Sequence, residues 1–335
     1  MTTTRWTRRP EGSTWGDFGA DDQRGRLNLL TPDKVRQGVA EVREGRVFCL
    51  SLPLDYPGGS VLAPHRLPPQ RKATQRRGRP FANYAFANEG NFCDCGCDDA
   101  VLLHTQYSTQ WDSLAHVGCA FDATGSGVEA YCYYNGFRAG REVLGANDAT
   151  APSALGIENM ATTCVQGRGV MVDLRAQHGD ERVYVGHDEL MRAMDTTGAH
   201  IEPGDILCLH TGFAQRVLEM QRQPDGEALH RACAVLDGSD GKLLQWITDS
   251  GVCAIVADNY AVEGIPARGG AERRPYVPLH VHCLFKLGVH LGELWYLSEL
   301  NDWLRAHGRT SFLLTAPPLR LPGAAGSPVT PVATV

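Results

Sequence analysis

The chain has 335 residues, 43% of them hydrophobic and 21% charged, and a formal net charge of -6. That is the make-up of a soluble globular protein with room for one large or two ordinary domains, and its acidic balance excludes the basic footprint of a nucleic-acid binder. No apolar run approaches the roughly 20 residues that cross a bilayer, and residues 1–9 lack the apolar segment of a secretory signal. The expectation is therefore a cytoplasmic protein with no membrane partner.

Residues 1–30 form an N-terminal arm. Three glycines and repeated Asp and Asn between Trp15 and Asn28 predict a compact, turn-rich loop. Thr31-Pro32 is a helix start, an N-cap followed by proline. Val35, Val39 and Val42 mark one face of that helix, and Gly45 supplies the stop. A strand is predicted within Arg46 to Leu54. Residues 55–98 are a long excursion carrying Arg66, Arg71, Lys72, Arg76, Arg77 and Arg79. The plain reading is a solvated loop; the sharper one is that part of it folds over a site and attracts an anionic substrate.

Eleven cysteines are present. Cys49, Cys208, Cys253 and Cys283 sit singly in apolar stretches and read as small buried hydrophobes. Cys93, Cys95 and Cys97 are clustered and carry thiolates that suit a soft metal, but their spacing is not Cys-x-x-Cys and an acidic loop is the simpler reading.

Ala100 to Leu103 predicts a short buried strand. It leads into the densest polar stretch of the chain, His104-Thr-Gln-Tyr-Ser-Thr-Gln-Trp-Asp-Ser-Leu-Ala-His116. If Trp111 to Ala115 turns helical, Asp112 and His116 share one face. Such clusters are equally at home as hydrogen-bonded turns and caps, so the residues alone leave structure and function evenly matched.

The aromatic run Tyr131 to Gly136 suits a pocket lining or an interface. Thereafter strands and helices alternate. Strands are predicted in Gly167 to Leu174, Gly204 to Gly212, Val252 to Ala257, Val289 to Glu293 and Ser311 to Leu314. Helices are predicted over His187 to Thr196, Leu243 to Ser250, His280 to Lys286 and Ser298 to Ala306. The Pro/Gly/Ala-rich tail from Ala316 reads as irregular. The alternation argues a single α/β domain over 1–335, with a mixed central sheet and polar groups at strand ends. Asp258 and Glu263 lie just past one such end. His65, His178, His187, His200 and His290 read as surface or capping residues.

Several segments together resemble the cyclase family that includes kynurenine formamidase and isatin hydrolase. The family's motif, His-x-Gly-Thr-His-x-Asp-x-Pro-x-His, is matched by Gln106-Tyr-Ser-Thr-Gln-Trp-Asp-Ser-Leu-Ala-His116. The Trp15-Gly opening, Gly167-Arg-Gly-Val, Pro203-Gly-Asp-Ile-Leu, Ala257-Asp-Asn and Gly326-Ser-Pro-Val-Thr-Pro are similar to its longer branch. The resemblance implies a swivelling β/β/α fold, assembly as a homodimer or homotetramer, and hydrolysis of an amide or cyclic amide of a small molecule with a divalent metal, Mn or Zn.

Carried over by residue, Asp112 matches a metal ligand, His116 the acid/base and Glu293 a downstream ligand. Gln106 and Gln110 stand where the family has ligand histidines. Val281 aligns with a further ligand histidine, with His280 and His282 on either side. Two mechanisms follow. In one, Asp112, Glu293 and either His280 or His282, helped by Gln110, hold a metal while His116 moves the proton. In the other no metal binds: Asp112 orients His116 and raises its basicity, Glu293 is a second acid/base, and Gln106 and Gln110 donate to a substrate oxyanion, with Trp111 a further substrate contact. That arrangement suits a cyclase, dehydratase or lyase as well as a hydrolase. A third reading is an inactive relative that binds a small molecule.

Overall fold

Nine short strands form one sheet in the computed structural model, which describes residues 5–148, 153–269 and 272–335. In chain order they are β1 (Val47–Cys49), β2 (Gln110–Asp112), β3 (Gln166–Asp173), β4 (Ile206–His210), β5 (Ala254–Ala257), β6 (His290–Glu293), β7 (Ser311–Thr315), β8 (Gly326–Pro328) and β9 (Val332–Thr334). Across the sheet the order is β1-β9-β7-β3-β4-β5-β6-β2-β8. The central strands β3 to β6 run parallel, and antiparallel strands extend the sheet on both sides. This is the mixed sheet of an α/β fold.

The parallel strands are buried on both faces, as their near-continuous Val, Ile, Leu and Ala runs require. One face packs on the helices His187–Thr197 and Gly241–Ser250 through Leu190, Ala193, Leu243 and Ile247. The other packs on Ser298–Ala306 through Leu300, Trp303 and Leu304. The N-terminal arm is stapled to the first core by Trp15, whose indole donates to the Phe285 carbonyl at 2.7 Å. Residues Gly25 and Gly288 meet backbone to backbone, and a Cβ on Gly25 would lie 2.2 Å from the Gly288 oxygen.

Five local expectations are corrected. Helix Pro32–Ala40 begins at Thr31 as expected, but it buries Lys34 and Gly38, while Val39 is 52% exposed. The reasons are an ion pair from Lys34 to buried Asp205 at 2.9 Å and the close seat of Gly38 on Gly167. The strand Asp99–Leu102 is exposed rather than buried, because it pairs only with Gln70–Ala73 in a hairpin of the excursion. The tail after Ala316 is not irregular throughout: it supplies β8 and β9 to the sheet. Nor is His290 a surface residue, since it is 2% exposed in β6 and its Nδ1 has no partner. Burial pushes its imidazole down to about 3. The aromatic run divides too: Tyr131 faces solvent and Tyr134 is buried against Asp22.

At the carboxyl ends of β3 and β4 lies a buried polar chain. Asp173 accepts from His210 Nδ1 at 2.9 Å, from Asn301 at 2.9 Å and from Arg305 at 3.2 Å. His210 Nε2 lies 3.2 Å from Ser298 Oγ. The connectivity is that of a Ser–His–Asp relay, and its carboxylates favour the charged form of the imidazole. Burial alone would lower its pKa, but Asp173 and Asp258 outweigh that and raise it. Burial likewise opposes ionisation of Asp173, and the bond from His210 overrides it and holds the carboxyl down to about 2. Asp173 is held by Asn301 and Arg305 as well, and the chain ties helix Ser298–Ala306 to the sheet.

The Asp173 contribution is present above its unfolded pKa near 3.8 and is lost as pH falls toward about 2. The His210 contribution is present below 6.5 and is lost as pH rises through its raised folded value. Asp173→Asn should therefore destabilise by about 3 kcal/mol between pH 4 and 6. In thermal unfolding followed by circular dichroism, about 2 kcal/mol of the gap to wild type should close as pH is taken from 4 to 2. A gap that does not change with pH would show that the pair is not ionised.

Candidate active site

The site is built where β2 lies between β6 and β8. Register pairs Leu291 with Asp112, Gly292 with Trp111 and Glu293 with Gln110. Cross-strand partners share a face, so Gln110, Asp112 and Glu293 point together to one side and Trp111 to the other. The expected helix over Trp111 to Ala115 is instead this strand followed by a turn, closed by the His116 N–H on the Ser113 carbonyl at 3.0 Å. Three residues of strand are too few to display an alternation.

Trp111 is consequently not a substrate contact. It is buried in the core behind the sheet, donates to the Ala316 carbonyl at 2.9 Å and meets Trp295 edge-on at 4.9 Å. Trp295 in turn donates to the Gln110 carbonyl at 3.0 Å. The pair sets the position of β2 from behind.

His280 enters from a helix that begins at Pro278 and becomes π-helical over Val281–Leu287 before Gly288 ends it in the left-handed region. A π turn holds one more residue than an α turn. That extra residue accounts for the one-place offset of His280 from Val281 ahead of Glu293. His282 points elsewhere, 2.9 Å from Thr248 Oγ1.

Glu263, which follows Ala261 and Val262 in left-handed backbone, orients His280. Its Oε1 accepts from the His280 N–H and from Nδ1, each at 2.8 Å, and its Oε2 accepts from the Leu279 N–H at 3.0 Å. With Nδ1–H committed, His280 Nε2 faces Glu293 Oε1 at 3.3 Å and Asp112 Oδ2 at 3.8 Å. Leu294, directly after Glu293, is also left-handed. Non-glycine residues in that region are uncommon and concentrate at functional sites.

The glutamines serve the carboxylates. Gln106 Nε2 donates to Asp112 Oδ1, and Gln110 Nε2 donates to Glu293 Oε2 at 3.0 Å. Gly326 makes room for the first, since a Cβ there would lie 2.6 Å from Gln106 Cγ. Neither amide nitrogen is aimed at a substrate oxyanion, as the metal-free arrangement expected.

Asp112, Glu263, Glu293 and His280 are each 3% exposed or less, so three carboxylates surround one imidazole out of contact with water. Burial raises Asp112, with the Glu293 charge adding to the rise against the pull of His116 and His280. Burial would also raise Glu293, but its hydrogen bond and charge contact with His280 bring it below the usual range. For His280, burial would lower the pKa, and its bonds to Glu263 and Glu293 push it up to about 10. Half-buried His116 is lowered, first by burial, and is neutral at pH 7.

Asp112 Oδ2 and Gln110 Oε1 are buried with no hydrogen-bond partner. Ligand atoms of Asp112, His116 and His280 converge within 4.8 Å of one another, the one such group among the described residues. Orphaned oxygens beside carboxylates and an oriented imidazole are a donor set that fits a divalent cation such as Mn or Zn. Gln110 adds only a weak amide oxygen.

Cys93, Cys95 and Cys97 are exposed and form no ligand group. Asp258 is structural, accepting from the Thr211 and Gly212 N–H groups at 2.8 and 2.7 Å. Arg66, alone of the basic excursion, reaches the site: it donates to the Gln106 carbonyl at 2.8 Å and its charge acts on Glu293 and His116. Glu263 emerged from the sequence only as a polar residue after a strand, because its partner lies 17 positions on.

Residues 48–264 match the sequence profile of the family described as "putative cyclase". A crystal structure of a novel cyclase is 30% identical, with a TM-score of 0.77 over 96% of this chain and 97% of that one. Isatin hydrolase A from Ralstonia solanacearum and from Labrenzia aggregata share the fold at 16% and 13% identity, each with a TM-score of 0.54 over 90% of this chain and 97% of theirs. No curated protein matches the chain in sequence. This chain belongs to the putative cyclase family.

Proposed function

We propose that this protein is a hydrolase that opens an amide or cyclic amide of a small molecule with the help of one divalent cation. The observation that carries the reading is the buried group of Asp112, His280 and Glu293, with Asp112 Oδ2 lacking a hydrogen-bond partner and His116 converging on Asp112 and His280. These three residues would hold the ion, with Gln110 Oε1 beside them. When bound, the ion supplies Lewis acidity, lowering the pKa of a water and polarising a carbonyl.

The protein's own residues do the rest. Glu263 holds His280 in the tautomer that turns Nε2 inward. Gln106 and Gln110 fix the two carboxylates from their outer oxygens. Neutral His116 takes a proton from the attacking water and returns it to the departing nitrogen as the C–N bond breaks and a C–O bond forms. Membership of the family and a fold shared with isatin hydrolases support this choice of reaction.

Assays on lactams, cyclic imides, N-formyl arylamines and lactones should show turnover on a C–N substrate that chelation abolishes and Mn or Zn restores. Turnover surviving complete chelation would assign the chemistry to Asp112, His116 and Glu293 alone. His116→Ala should cut kcat by roughly 10²- to 10⁴-fold with the metal content unchanged; loss of the metal instead would make His116 a ligand. Glu263→Gln leaves one acceptor oxygen for three N–H donors, and metal affinity should fall roughly 10- to 100-fold in an equilibrium titration. An unchanged affinity would remove Glu263 from the account.

A further inference from the structure

Glu263 also borders a cavity of about 480 Å³, the size of a small-molecule site. Its walls mix aromatic side chains, Tyr184, Phe213, Tyr260 and Tyr276, with the polar Arg182, His65 and His230. Tyr260 belongs to both regions: it lines the cavity, and the charges of Glu293, Arg66 and Asp112 all act on its hydroxyl.

The charged groups in this wall differ in how they are satisfied. Both oxygens of Glu263 are taken by N–H donors. Arg268, outside the wall but stacked on its Tyr184 at 3.7 Å, has Asp237 at 4.0 Å. Arg182 has no carboxylate among the described residues. Its one hydrogen bond runs from Nη2 to the Leu229 carbonyl at 3.2 Å, and its Nε has no partner. Burial lowers its pKa, with only Tyr184 and Cys233 acting the other way. A half-buried guanidinium without a counter-charge is costly for folding, and Arg is the side chain whose geometry matches a carboxylate.

We infer that this cavity is a substrate subsite in which Arg182 anchors the carboxylate of a ring-bearing molecule. The ring lies among the tyrosines. The further statement that the same molecule presents its amide to Asp112, His280 and Glu293 rests on the hydrolase reading; the anion subsite does not.

The probes are phenylacetate and its neutral counterpart phenylacetamide, titrated calorimetrically into the full chain with and without chelator. Phenylacetate should bind saturably and at least tenfold more tightly than the amide, in both conditions. Arg182→Met should bring the acid down to the affinity of the amide and leave the amide unchanged, and Arg182→Lys should fall between. Equal affinities in the wild-type protein, or no binding of either probe, overturn the subsite without any variant. So does phenylacetate binding that chelation abolishes and Arg182→Met or Arg182→Lys does not touch, because the anion would then sit on the cation. Chelator-resistant turnover would remove the cation from the hydrolase reading, and no turnover on any C–N substrate would sink that reading; either leaves the phenylacetate result standing.

Discussion

Three carboxylates enclosed with one imidazole set the terms for this part of the molecule. Asp112, Glu263 and Glu293 meet at His280, and all four are withdrawn from water. Buried like charges are tolerated only when something positive and well oriented lies between them. A protonated His280 answers that need, and it leaves Asp112 Oδ2 without a hydrogen-bond partner. A divalent cation would answer it in place of the Nε2 proton, since an imidazole ligates only in its neutral form. The local backbone is organised to bring these groups together: left-handed residues precede Glu263 and follow Glu293, the helix at His280 widens, and Gly326 yields its Cβ position to Gln106.

The family's histidines are replaced here by Gln106 and Gln110, and the structure shows what the glutamines do instead. Each amide nitrogen donates to the carboxylate that remains, Gln106 to Asp112 and Gln110 to Glu293. Where the resemblance places two ligand histidines, this chain has two hydrogen-bond donors to carboxylates. In the proposed reading the weight of cation binding would fall on Asp112, His280 and Glu293. An amide oxygen is a poor substitute for an imidazole nitrogen with ions of the Mn or Zn type.

Much of this could be read in the chain itself. Long segments of consistent period, such as Gly167 to Leu174 and Ser298 to Ala306, appear as the elements their residues suggest. The polar stretch ending at His116 lies at the site, and Asp112 and Glu293 share one face of adjacent strands. The remainder was hidden for physical reasons. A three-residue strand at Gln110–Asp112 is too short to show which side Trp111 takes. Strand Gly326–Pro328 carries Gly and Pro, and Val332–Thr334 follows directly on Pro331, which speaks against a sheet until a neighbouring strand is present to pair with them. A single residue absorbed by a π turn cannot be seen without the turn, so His280 and His282 looked equivalent. Glu263 and Arg182 acquire their meaning only from groups distant in sequence.

The central claim is that the Asp112–His280–Glu293 group holds one divalent ion. Calorimetric titration of the metal-stripped protein with Mn²⁺ and with Zn²⁺ at neutral pH tests it most directly, with Asp112→Asn and Glu293→Gln run alongside. The account predicts one saturable site per chain in the wild-type protein and its loss in both variants. No saturable binding, or a site indifferent to both substitutions, would contradict it.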